Sequence, residues 1–76
     1  MFWEGDTVVL KNPVSGVPVP VGSEGTVFRV FSFSKPPAYD VDFSDHSGNS
    51  LGAFRVFGDE NLSLKISIRD QLEGLK

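Results

Sequence analysis

Three consecutive residues, Asp45, His46 and Ser47, are of the types that form the catalytic triad of a serine hydrolase. In a triad the histidine takes the serine proton while the aspartate orients the imidazole, and the fold brings the three together from separated positions. Consecutive residues do not face one another in this way. Serine, glycine and asparagine flank them, and these residues are typical of a turn. The segment is predicted to be an exposed turn, and the chain is not expected to be an enzyme.

Three carboxylates, Asp40, Asp42 and Asp45, raise the question of a divalent cation site, because hard cations prefer several oxygen ligands. Asp40 and Asp42 would share one face of a strand. The spacing of an EF-hand loop is absent from the sequence. There is no cysteine and only one histidine, which excludes thiolate and multi-histidine sites. The sequence predicts a solvated acidic strand face, no metal and no cofactor.

Aromatic residues are numerous for so short a chain, with seven phenylalanines, one tyrosine and one tryptophan in 76 residues. A domain of this size buries only about 60% of the surface of its unfolded chain. One interpretation is that the aromatic residues fill the core and cover its open ends. The other is a protein-binding surface, because such residues are enriched at interaction hot spots. The residues expected to form that surface are Phe2, Trp3, Phe31, Phe33 and Phe57.

The elements that position these residues are predicted to be β-strands. Beta-branched and aromatic residues concentrate in five short runs separated by glycine, proline, asparagine and aspartate, which is typical of strands and turns. Tyr39, Val41 and Phe43 alternate with polar residues, which indicates a half-buried strand. The predicted strands are residues 7–11, 25–33, 39–43, 50–57 and 62–68, the last with its regular structure ending near residue 66.

Irregularities are also predicted from the sequence. Val27 and Val30 both resemble core positions, which requires a bulge or a strong twist between them. Gly52 indicates a second bulge or a close backbone approach. The loop over residues 12–24 contains three prolines, so it is expected to be extended but outside the sheet. Its alternating valines are expected to point into the core: Val17, Val19 and Val21.

The C-terminal residues favour a short helix. Ser67 is a potential N-cap with Asp70 three residues later, and Ile68, Leu72 and Leu75 have helical spacing. A helix this short needs packing to be stable. The expected organisation is one barrel over residues 1–66 and a C-terminal extension over residues 67–76, which is a short helix or a frayed tail.

Three motifs occur in a fixed order: Gly5-Asp6-x-Val8-x-Leu10, Val21-Gly22-Ser23-Glu24-Gly25-Thr26-Val27-x-x-Val30 and Tyr39-x-Val41-x-Phe43-x-Asp45-x-x-Gly48. In this order the chain resembles a family of short uncharacterised bacterial SH3-like (KOW-like) barrel proteins. The resemblance covers residues 2–64 and implies a small all-β, five-stranded SH3-like barrel. Its motifs are turn glycines and core valines, so it implies no activity and no site residue.

Charge and composition narrow the expected function. The net charge of −3 disfavours nucleic acid, because phosphate binding requires clustered cations. No signal peptide and no membrane-spanning run is recognisable, so a soluble cytoplasmic protein is expected, and no small-molecule substrate is evident. We expect a non-catalytic protein-binding or accessory module whose partner is another protein or a second copy of the chain, forming a homodimer.

Two alternatives remain open at this point. The KOW-like resemblance favours a nucleic-acid- or ribosome-associated barrel, for which four cations would have to share a face: Lys11, Arg29, Lys35 and Arg55. The aliphatic run at residues 62–68 would instead favour self-association if it forms an unpaired sheet edge.

Overall fold

The computed structural model describes residues 1–74 and shows an all-β protein with a short helix at its C-terminal end. The small all-β fold expected from the sequence is confirmed. The C-terminal extension is helical within the described residues, and Leu75, the last residue of the predicted helical spacing, lies outside them. The elements are β1 (Thr7–Leu10), β2 (Glu24–Phe31), β3 (Ala38–Ser44), β4 (Ser50–Phe57), a 3₁₀ helix (Asp59–Asn61), β5 (Leu62–Ile66) and α1 (Ile68–Gly74).

The five strands form one antiparallel sheet in the order β4-β3-β2-β1-β5. The first four strands pair in chain order, and β5 returns to pair with β1. The sheet therefore has the five strands expected from the sequence. The order leaves β4 and β5 as the two edges of the sheet, while β3 lies between β2 and β4.

One hydrophobic core lies on the inner side of the sheet. Tyr39, Val41 and Phe43 are fully buried, as their alternation in the sequence predicted. The proline-rich loop contributes Val17 and Val19, but Val21 is half exposed, so the prediction for that valine was wrong. The cluster takes residues from every strand, the N-terminal segment and the proline-rich loop: Phe2, Val8, Leu10, Val17, Val19, Val27, Tyr39, Val41, Phe43, Val56 and Leu62.

A bulge in β2 reorients the second half of that strand. Val27 is opposite Val41, yet Arg29 is already opposite Asp40, so Phe28 is the extra residue. A bulge sets two residues of one strand against one of its partner. It allows Val27 and Val30 to share the inner side, as the sequence predicted, and it directs Arg29 and every second residue after it outwards.

Two glycines before and inside β2 have different roles. Gly22 has a φ of +94°, a conformation that glycine adopts without steric cost. Gly25 lies in the strand, where a Cβ atom would be 2.5 Å from Val41 Cγ1 and 3.0 Å from Phe43 Cδ1. Gly22 therefore serves the turn, whereas Gly25 lets β2 pack closely against the β3 side chains.

Asp6 joins the N-terminal turn to α1. Its carboxylate is buried. Oδ2 accepts a hydrogen bond from the Trp3 N–H at 2.9 Å, and Oδ1 accepts one from the Ile68 N–H at 2.8 Å. The Arg69 guanidinium lies 5.3 Å from the centre of the Trp3 ring. The Asp6 carboxylate therefore fixes the start of α1. A helix of this length needs such a tertiary contact to be stable.

The hydroxyl group of Tyr39 forms a second buried junction. It accepts a hydrogen bond from the Phe2 N–H at 3.2 Å and donates one to Asp59 Oδ1 at 2.6 Å. The other oxygen of Asp59 lies 3.0 Å from the α-ammonium of Met1. The N-terminal segment, β3 and the 3₁₀ helix are thus held together at one point.

This environment changes the acidity of both partners. Burial, followed by the hydrogen bond to Asp59 and its negative charge, raises the pKa of Tyr39 to about 12. Burial acts to raise the pKa of Asp59, but the hydrogen bond from Tyr39 and the ammonium of Met1 outweigh it, so that pKa is lowered. The native fold therefore favours neutral Tyr39 and ionised Asp59.

We predict that the folded protein loses stability in strong base because of Tyr39. The native pKa exceeds the ordinary value near 10, so this contribution is complete below pH about 10 and disappears as the pH rises through about 12. Tyr39 is the only tyrosine, so its ionisation can be followed directly by ultraviolet absorbance. Asp59→Asn should lower the native midpoint, and a wild-type midpoint near 10 in folded protein would contradict the prediction.

Candidate functional site

The five residues predicted to bind protein lie in three places. Phe2 is buried in the core, with its ring centre 5.3 Å from that of Tyr39 in an edge-to-face arrangement. It is not available at the surface, and its role as a binding residue is corrected to that of a core residue. Trp3 is half exposed beside α1. Phe31, Phe33 and Phe57 lie on the outer side of the sheet or next to it.

Strand register brings Phe31 and Phe57 onto one side. Both are paired with Ala38 of β3, Phe31 from β2 and Phe57 from β4. Residues directly opposite one another in neighbouring strands point to the same side of the sheet. Phe57 remains 49% exposed, while Ala38 between the two rings is buried.

Phe33 extends this surface into the β2–β3 turn. It is 84% exposed, and its ring stands edge-on against Phe31 with 6.4 Å between the ring centres. An edge-to-face contact is favourable for aromatic pairs, so Phe33 is oriented although it is open to solvent. We call the surface made by Phe31, Phe33, Ala38 and Phe57 the aromatic face.

Arg55 crosses β3 next to the aromatic face. Its Nε donates to Asp40 Oδ1 at 2.8 Å and its Nη2 donates to Asp40 Oδ2 at 3.3 Å. The guanidinium carbon lies 4.3 Å from the centre of the Phe31 ring, although Arg55 is on β4 and Phe31 is on β2. This side chain therefore spans β3, which explains why both Ala38 and Asp40 are nearly inaccessible.

The acidic strand face predicted from the sequence is only partly present. Asp42 is exposed, as predicted, but Asp40 is only 9% exposed and pairs with Arg55. Arg29 is opposite Asp40 on the other side, so the row across the three strands is arginine, aspartate, arginine. The hydrogen bond to Asp40 is the largest cause that raises the pKa of Arg55, which keeps the guanidinium charged.

Two features of this site could not be found by sequence reasoning. Phe28 is half exposed and joins Arg29 opposite Asp40 only because of the bulge. The stacking of Arg55 on Phe31 depends on the register of three strands. Of the four cations considered together, Arg29 and Arg55 share the outer side, Lys35 is in the β2–β3 turn, and Lys11 follows β1.

The turn that contains Asp45 lies elsewhere, beside an open cleft of about 420 Å³ between residues 20–24 and 44–46. Asp45 Oδ1 accepts hydrogen bonds from the Ser47 and Asn49 N–H groups, both at 2.9 Å. The backbone hydrogen bond from Asn49 is the strongest influence that lowers the pKa of Asp45. The carboxylate thus organises its own turn, which is the arrangement predicted for this segment.

Comparison of the chain with protein-family models, curated proteins and solved structures finds no match in any of the three. Among the side chains that the structure describes, no group of three or more histidine or acidic residues is placed to hold a metal ion. In the same residues, no helix has the length and apolar character needed to cross a membrane. The fold and the site define the protein as a small all-β domain with an exposed aromatic face.

We predict that Asp40 and Asp42 differ in their effect on stability. Asp40→Asn removes the charge that holds Arg55 across β3 and should lower the melting temperature by about 4–8 °C, the shift for a loss of about 1 kcal/mol in a domain of this size. Asp42→Asn, the matched control on the same strand, should change it little because its side chain is exposed. Thermal unfolding monitored by circular dichroism measures both, and equal effects would refute the bridging role of Asp40.

Proposed function

We propose that the protein is a non-catalytic protein-binding module and that the aromatic face is its binding surface. The observation that carries this proposal is the exposure of Phe33 and Phe57 beside an arginine whose position is fixed. Aromatic residues and arginine are the residue types that dominate interaction energies at protein interfaces.

The energetics support a binding role for this surface. Covering a fully exposed phenylalanine is worth about 1.5–3 kcal/mol. The cost of ordering side chains on association is reduced when they are already held in place. Phe31 orients Phe33, and Asp40 together with Phe31 fixes Arg55. The aromatic face therefore combines exposed apolar area with a low ordering cost.

A nucleic-acid-associated function is the second proposal, because aromatic rings and arginine on a sheet surface also form platforms for unpaired bases. Arg29 and Arg55 on the outer side of the sheet favour it. Asp40 and Asp42 on that same side, together with the net charge of −3, oppose it. A nucleic acid would bring its continuous phosphate charge close to both carboxylates, so a protein is the favoured partner.

Self-association would use a different surface. β5 is an edge of the sheet, and its Leu64 and Ile66 are half exposed. Unpaired edges promote strand pairing between copies, although a lysine on the edge counteracts it, and Lys65 lies between these two residues. A homodimer through β5 would leave the aromatic face free, so the two interactions can be tested separately.

We predict that tagged protein captures a partner at physiological salt in a manner that depends on the aromatic face. Phe33→Ala and Phe57→Ala should each weaken binding of the identified partner, measured with purified components, by about tenfold or more, because each removes a hot-spot ring. Their melting temperatures should stay close to that of the wild type, since Phe33 is exposed, Phe57 is half exposed and neither belongs to the core cluster.

The matched control is Leu64→Ala, which removes an exposed apolar side chain from the β5 edge. It should leave partner binding unchanged. If the partner binds Phe33→Ala and Phe57→Ala as well as the wild type, the aromatic face is not the binding surface. If only Leu64→Ala loses partner binding, or only Leu64→Ala loses a dimeric mass that the wild type shows, the interaction is assigned to β5.

A further inference from the structure

We infer that the ligand of the aromatic face is an extended acidic segment of a partner protein, in which a carboxylate and an apolar side chain are separated by one intervening residue. This inference rests on the proposed protein-binding function and specifies the chemistry of the partner. Three properties of the surface support it: the free donors of Arg55, the local charge and the spacing of the side-chain rows.

Arg55 is a preorganised hydrogen-bond donor. A guanidinium group carries five N–H donors, and Asp40 accepts one from Nε and one from Nη2. The remaining N–H groups, on Nη1 and Nη2, are directed away from Asp40, and the arginine side chain is 48% exposed. Stacking on Phe31 fixes the plane of the group, so a carboxylate can bind without first ordering this side chain.

The charge around the aromatic face is locally positive in an acidic protein. Arg29 is exposed and forms no ion pair with any residue in the part of the chain that the structure describes. Lys35 is also exposed, two residues after Phe33. The only carboxylate in the row next to the phenylalanines, Asp40, is already paired with Arg55. Complementary charge therefore favours an acidic ligand here, although the protein as a whole carries a net charge of −3.

The spacing of the rows indicates an extended ligand. The arginine row contains Arg29 and Arg55, and the aromatic row, two residues further along β2 and β4, contains Phe31 and Phe57. Two residues of strand correspond to about 6.6 Å. An extended peptide parallel to these strands has the same interval between alternate side chains, which point to one side. An acidic residue on the arginine row then places an apolar residue on the aromatic row.

The test is selection of random peptides displayed on phage, with wild-type protein as the target and the Phe33→Ala, Phe57→Ala double variant for counterselection. We expect enrichment of peptides in which Asp or Glu and an apolar residue are separated by one position. The enriched peptides, synthesised with a fluorescent label, should bind the wild type with an affinity that falls as salt is raised.

Two pairs of variants test the role of each cation. Arg29→Gln should weaken peptide binding about threefold to fivefold, as expected for an exposed charge pair. Lys65→Gln removes the same charge from β5, where Lys65 pairs with Glu24, and should have no effect. Arg55→Lys retains the charge but loses the fork that Asp40 and Phe31 fix, so it should weaken binding about tenfold or more. Circular dichroism should show that all three variants are folded.

The outcomes separate this inference from the proposed function. Enriched peptides that require Phe33 and Phe57 but carry no acidic residues, or that bind Arg29→Gln and Arg55→Lys normally, would overturn the acidic ligand and leave the binding surface intact. If the selection yields no peptide whose binding depends on Phe33 and Phe57, the acidic peptide ligand is overturned. If, in addition, no captured partner depends on these two residues, the binding surface is overturned as well. Labelled oligo-dT or oligo-rU that binds the aromatic face more tightly than the selected peptides would assign it to nucleic acid.

Discussion

The buried hydroxyl group of Tyr39 is the contact on which the rest of the structure depends. In a chain of 76 residues without cysteine, no disulfide stabilises the core, so polar groups inside it must be satisfied by one another. Tyr39 bonds to the backbone of Phe2 and to Asp59. These bonds fix the N-terminal segment and the 3₁₀ helix against β3, so that Phe2 covers the core and β5 begins where it can pair with β1.

β3 connects this junction to the outer surface, because its side chains alternate between two environments. Tyr39 and its inward neighbours form the centre of the core, while Ala38 and Asp40 form the base over which Arg55 lies. The inner side thus supplies the stability, and the outer side supplies an arginine held by a carboxylate and a ring. The stability of the core and the position of Arg55 both require a rigid β3, since loosening this strand would release Arg55 from Phe31.

The aromatic face shows how a small acidic domain can present a locally cationic, apolar surface. Arg29 and Arg55, which lie beside the aromatic face, are separated along the chain and meet only through strand register. Asp40 neutralises part of their charge but orients one of them. In the binding mode that we propose, this surface would favour a ligand with apolar side chains and a few carboxylates over a polyanion, because the carboxylates of Asp40 and Asp42 lie on the same side.

Residue patterns along the chain were enough to predict the five strands, the buried alternation of Tyr39, Val41 and Phe43, the bulge between Val27 and Val30, and the helical character after Ser67. These features follow from local periodicity and turn residues, which act over a few positions. The same patterns could not predict that Phe2 is buried, that Val21 is half exposed, or that Arg55 stacks on Phe31 across β3. Phe2 and Val21 lie outside the strands, so their environment depends on how the N-terminal segment and the proline-rich loop pack against distant residues. The stacking of Arg55 depends on strand register, because a shift of one residue would reverse the side to which every side chain of a strand points.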